Sequence, residues 1–103
     1  MDNSNGAMGG ETVLITGGTS GIGKAMAVAL AAMGANVVVV GRSLERGEAS
    51  LEEIKGQSHN ESVELMLADL CVRSEVRRLA EEFLERHDKL DVLVNNAGLK
   101  VAA

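Results

Sequence analysis

Residues 17–23 read Gly-Gly-Thr-Ser-Gly-Ile-Gly, between the apolar run Thr12–Thr16 (TVLIT) and a helical pattern. Glycine at this spacing suits the close approach of backbone to phosphate. Gly17 permits a sharp exit from the strand. Gly21 lets the chain reach a pyrophosphate with no Cβ in the way, and Gly23 lets the following helix pack closely on the strand. The first turn of that helix offers unpaired N–H groups and a partial positive charge to an anion. Thr19 and Ser20 add hydroxyl donors, and Lys24 lies in the first helical turn.

A second apolar run, residues 36–40 (NVVVV), is followed by Gly41-Arg42-Ser43. A dinucleotide site without a 2′-phosphate usually places an acid near this strand end, where it accepts from the ribose 2′-hydroxyl. No acid occurs here before Glu45. Arg42 stands there instead, and a guanidinium holds a 2′-phosphate by paired, charge-assisted hydrogen bonds. The expected ligand is a nicotinamide dinucleotide, NADP in preference to NAD. Ser43 adds a hydroxyl while capping the next helix.

These residues need a frame. Two more apolar runs, Val63–Leu67 (VELML) and residues 91–95 (DVLVN), complete a set of four expected strands. Three of the four are near-continuously apolar, as strands buried on both faces are. Between them, Ile22, Ala25, Met26, Ala29, Leu30 and Met33 recur at helical spacing, with Gly34 as a stop. Leu44, Gly47, Leu51 and Ile54 mark a second helix capped by Ser43. Val76, Leu79, Ala80, Phe83 and Leu84 mark a third, for which Ser74 is the expected cap and Glu75 lies in the first turn. Residues 56–62 (GQSHNES) read as a polar loop. The order β-α-β-α-β-α-β specifies an α/β fold, a Rossmann-type doubly wound parallel sheet with right-handed crossovers. Residues 1–10 read as a flexible leader, and 11–103 as an incomplete NAD(P)-binding half-domain.

The motifs now resemble a family. Residues 16–23 match the TGxxxGIG pattern of the short-chain dehydrogenases/reductases, and residues 95–98 match their NNAG. Asp69-Leu70, after the third strand, resembles the pair that contacts the adenine ring in that family. The likeness covers residues 11–99, and the segment around Phe83 is similar to retinol-dehydrogenase-like members. It implies that Gly17, Thr19, Ser20, Gly21, Ile22 and Gly23 surround the pyrophosphate and adjoining ribose, with Arg42 at the 2′-phosphate. Asp69 would accept from the adenine amino group, with Leu70 beside the base. Asn95, Asn96, Ala97 and Gly98 would end the fourth strand near the cofactor's ribose. The implied reaction is hydride transfer between NADP(H) and a carbonyl or alcohol substrate.

The family's general acid is a tyrosine in Tyr-x-x-x-Lys, whose lysine lowers the tyrosine pKa. With an upstream serine and a further asparagine it lies beyond NNAG. The chain has no tyrosine and stops five residues after Gly98. Ser74, Lys89 and Lys100 lack the partners to substitute. The chain is therefore expected to be a fragment or truncated product of an oxidoreductase, inactive alone, with no catalytic residue of its own. Its fourth strand would leave an open apolar edge that invites self-association.

Composition narrows the rivals. A net charge of −5 disfavours a nucleic-acid partner. The apolar runs are far shorter than the roughly 18 residues of a membrane span, and the first ten residues lack the basic and apolar regions of a signal peptide. One cysteine, Cys71, suits a reducing, cytoplasmic setting. His59, His87 and Cys71 lack metal-ligand spacing. Two other functions stand beside the oxidoreductase half: a non-catalytic nucleotide-binding module that pairs with a partner, and a methyltransferase using another adenosine cofactor. NNAG, the glycine turn and Arg42 argue against the last.

Overall fold

The structure, a computed structural model, describes residues 6–96. Four runs rich in β-branched residues form strands β1 (Thr12–Thr16), β2 (Asn36–Gly41), β3 (Val63–Leu67) and β4 (Val92–Asn95). They alternate with helices α1 (Gly21–Ala32), α2 (Leu44–Ser58) and α3 (Arg73–Arg86). All strand pairs are parallel, in the order β3-β2-β1-β4. The expected Rossmann-type arrangement is therefore present, with β1 at the switch between the outward walks to β3 and to β4.

Alternation along the strands builds two apolar layers. Val13, Ile15, Val37, Val39 and Val63 pack under α1 and α2, with Ala27, Ala31 and Ile54. Leu14, Val38, Val40, Met66 and Ala68 face the other way and meet Leu79 and Phe83 of α3. Aliphatic side chains thus supply nearly all of both layers.

The helices depart from the expected stripes in instructive ways. In α1 the buried residues are Gly23, Ala27 and Ala31. Ile22 is 70% exposed and Met33 is 41% exposed. The helix lies so close to the sheet that only glycine and alanine fit beneath it, and Met26 and Leu30 flank the contact. Ser43 caps α2 as expected, its Oγ accepting from Arg46 N–H at 3.3 Å. That helix ends at His59, whose φ of +58° is left-handed, so the loop begins three residues later than the sequence suggests. Its ending is fixed by Asn60, whose side-chain amide donates to the carbonyls of Ala31 and Ala35 at 2.9 and 2.8 Å. Ser74 does not cap α3. Val72 does, because its carbonyl accepts from both Glu75 and Val76, which places Ser74 inside the helix. Val76, Leu84 and Leu93 remain exposed on the α3 side of the sheet.

The described part of the leader is tied to the fold. Met8 N–H donates to Met33 O at 2.7 Å, and its side chain packs on the α1–α2 layer.

Candidate functional site

The register brings the carboxyl ends of the strands level. Thr16 lies opposite Val40 and Asn95, and Gly41 lies opposite Leu67. The predicted residues therefore converge along one end of the sheet.

The glycine turn is the most constrained part. Gly17 has φ +67° and Gly21 has φ +55°, a region that favours glycine. A Cβ on Gly18 would lie 2.7 Å from Val39 Cγ1. One on Gly23 would meet the carbonyl of Gly17 and stand 2.7 Å from Asn96 Nδ2. A Cβ on Gly21, in contrast, would meet nothing within 4 Å. Glycine is thus demanded on the inner side by packing, while at Gly21 the backbone faces open space that a phosphate can enter.

Neighbouring elements hold the turn rigid. Gly17 N–H donates to Val40 O at 3.1 Å. Asn96 Nδ2 donates to Gly17 O at 3.2 Å, and Thr16 Oγ1 donates to Asn95 Oδ1 at 3.1 Å. Asn95 and Asn96 therefore buttress the turn from the end of β4. Ser50, buried on α2, donates its hydroxyl to Thr19 O at 2.5 Å. Ser20 takes the N-cap position of α1, yet its side chain makes no cap hydrogen bond. The donors that open α1 are consequently not satisfied by their own cap, which leaves them suited to an anion. Lys24 does not join them, since its Nζ is paired with Glu53 Oε2 at 2.7 Å.

A cleft of about 1230 Å³ runs along this end of the sheet and on over its α3 side, past Leu79, Phe83, Leu84 and Leu93. One wall is the turn, with Thr16, Gly17, Thr19 and Ser20. A second holds Arg42, Ser43 and Arg46 at the start of α2, and a third is Asp69, Leu70 and Cys71 after β3. Arg42 and Arg46 are exposed, and neither forms an ion pair among the described residues. Gly41 lets this wall close on the turn, for a Cβ there would be 2.8 Å from Thr19 Cγ2. Asp69 Oδ1 accepts from Cys71 N–H at 3.0 Å. Gly21, Ile22 and Gly23 open α1 directly after Ser20 and are not among the residues that line the cleft. Ala97 and Gly98 lie outside the described residues.

A smaller hollow of about 360 Å³ at the opposite strand ends contains none of the predicted residues. His87 borders it, stacked on Phe83 and 2.6 Å from Glu64 Oε1, a structural role that fastens the end of α3 to β3. Among the described residues no group of three His, Cys, Asp or Glu is placed to hold a metal ion. Nor is any helix there long and apolar enough to cross a membrane.

Sequence reading missed Ser50, Arg46 and the Glu75–Arg78 pair. Only Arg46 carried a signal: it lies four residues after Arg42 and one turn into a helix. Ser50 gave none, because its partner is 31 positions away.

Comparison with known proteins agrees with the geometry. Residues 11–103 match the family model described as short chain dehydrogenase. The chain belongs to that family. It is 44% identical to human dehydrogenase/reductase SDR family member 13, over 91% of this chain and 25% of that protein. Identity to human retinol dehydrogenase 13 is 37%, over 87% of this chain and 27% of the relative. Among solved structures, the Pseudomonas aeruginosa RhlG/NADP active-site complex superposes with a TM-score of 0.81 at 34% identity, covering 91% of this chain and 36% of that one. The chain thus spans about a quarter to a third of the length of these relatives.

Proposed function

We propose that the chain is the NADP-binding portion of a short-chain dehydrogenase/reductase, residues 11–103 forming the cofactor-binding unit behind a short leader. The observation that carries this is the pairing of an anion-ready glycine turn with two uncompensated arginines across one cleft. Gly17, Thr19, Ser20, Gly21, Ile22 and Gly23 surround the pyrophosphate and ribose in this reading. Arg42, with Ser43 and Arg46, meets the 2′-phosphate, Asp69 and Leu70 meet the adenine, and Asn95, Asn96, Ala97 and Gly98 lie near the cofactor's ribose. The RhlG complex, a relative holding NADP, supports the same ligand. The longer protein would move hydride between NADP(H) and a carbonyl or alcohol, while this chain alone binds without turnover. The unpaired, exposed Cys71 favours a reducing, cytoplasmic setting.

Titration of NADPH and NADH fluorescence against the chain tests this. NADPH should bind more tightly. Arg42→Asp should lower NADPH affinity by about tenfold or more, the scale of a lost charge-assisted contact, and leave NADH nearly unchanged. Arg46→Ala should act in the same direction and less strongly. Equal binding of the two dinucleotides, or an unmoved preference in Arg42→Asp, would remove NADP from the reading.

A further inference from the structure

The exit of β3 is gripped from α3 by two charged side chains that the cofactor reading does not use. Arg78 Nη2 donates to Leu67 O at 2.7 Å. The same nitrogen and Nε meet the two carboxylate oxygens of Glu75 at 3.1 and 3.3 Å. Glu75 Oε1 in turn accepts from Asp69 N–H at 3.4 Å. Between them, Ala68 N–H donates to Gly41 O at 3.0 Å. Both peptide groups from Leu67 to Asp69 are therefore pinned, one by β2 and Arg78 together and the other by Glu75. Arg78 Nη1 reaches Glu82 Oε1 at 3.3 Å, which fixes the guanidinium from its far side.

An exposed ion pair one helical turn apart ordinarily contributes little. This pair differs because its remaining donor and acceptor are used on the backbone of a loop that lines the cleft. Asp69 has Oδ1 engaged by Cys71 N–H, so a single carboxylate oxygen, Oδ2, has no partner among the described residues. The value of one such acceptor to a ligand depends on where the backbone holds it, and errors of a fraction of an ångström weaken it. The Arg78 hydrogen bonds hold the Glu75 carboxyl below the usual carboxylate range, so it stays an ionised acceptor in mildly acidic solution.

We infer that Glu75 and Arg78 are positioning residues that set the placement of Asp69, and through it the affinity for the adenine end of the dinucleotide. This rests on the proposed cofactor reading.

The test is a double-mutant cycle on NADPH binding, which separates action through Asp69 from a general structural effect. Arg78→Ala and Glu75→Ala should each weaken NADPH binding by about five- to tenfold, the loss of one hydrogen bond to a placed group. Glu75→Gln, which keeps an acceptor for Asp69 N–H, should recover part of that loss. In an Asp69→Ala background the same substitutions should change affinity by less than about twofold. An equal loss in both backgrounds, or none in the native one, overturns the inference. If Arg78→Ala does not fold, the isosteric Glu75→Gln in the two backgrounds carries the same comparison. Failure of the native chain to bind NADPH overturns the cofactor reading and this inference together. Native binding with indifferent variants overturns this inference alone.

Discussion

Gly23 shows how much one missing atom settles. Its hydrogen faces the carbonyl of Gly17 and the amide of Asn96, so an alanine there must push the helix off the turn or break the Asn96 bond. Gly23→Ala should destabilise the fold by about 1–3 kcal/mol, the range for overpacking a filled site, and weaken NADPH binding as the turn shifts. Gly56 is the contrast. It lies near the exposed end of α2 with nothing within 4 Å of a built Cβ. Gly56→Ala should therefore stabilise by up to about 1 kcal/mol through lower unfolded-state entropy and better helix propensity. Urea denaturation of the two variants gives both signs, and a neutral Gly23→Ala would show that the turn yields. The contrast also explains what was legible. A backbone demand is written in the residue that meets it, so Gly17, Gly21 and Gly23 could be read directly. Ser50 holds the same turn through Thr19 O, but a serine on a helix has many ordinary uses.

Strands β1 and β4 are joined by a charge at their amino ends. Asp91 Oδ2 accepts from Thr12 N–H at 2.8 Å, and Lys89 stands 3.4 Å from Oδ1. The Thr12 N–H first, and Lys89 second, hold the Asp91 carboxyl below the usual aspartate range. A carboxyl so depressed binds protons more weakly folded than unfolded. Its contribution is thus present above the unfolded value, near 4, and lost as pH falls through the lower folded value. Acidification from about pH 5 to 3 should erode native stability, and Asp91→Asn should show a shallower decline over that window. Glu75 shares the direction, so the slope should flatten in part only. Parallel declines in the two proteins would remove Asp91 as a contributor. At this scale the order of elements was readable from recurring apolar runs; β1 and β2 are buried on both faces as their near-continuous apolar residues imply, whereas β4, equally apolar, is largely exposed. The buried face of α1 was not. Periodicity marks where large apolar residues recur, whereas contact with the sheet at Gly23, Ala27 and Ala31 selects for small ones. The start of α3 was missed for a related reason: a backbone turn at Asp69–Val72 caps it, and Ser74 is not needed.

The molecule as a whole has covered one side of its sheet better than the other. On the α1–α2 side, Val13, Ile15, Val37 and Val39 have almost no exposure. On the α3 side, helix cover reaches only as far as Leu79 and Phe83. Leu84 is 68% exposed and Leu93 is 57% exposed, with Leu90 and Val76 beside them in the same cleft. Among the described residues, β4 pairs with β1 alone, so its outer edge carries unpaired backbone groups next to this apolar surface. An edge of that kind is a template for another chain, and net charge of −5 on 103 residues is a modest counterweight. The chain should therefore self-associate as its concentration rises, and association should persist in salt, because apolar burial is not screened as charge is. Leu93→Lys and Leu84→Lys each place a charge on that surface, and the pair should raise the monomer fraction measured by sedimentation velocity. Leu84 and Leu93 line the α3 side of the same cleft as the turn, so titrating NADPH against the doubly substituted chain shows whether that side also bears on the cofactor. A sharp monomeric boundary for the native chain, together with cooperative unfolding, would show that the α3 side is adequately closed without a partner.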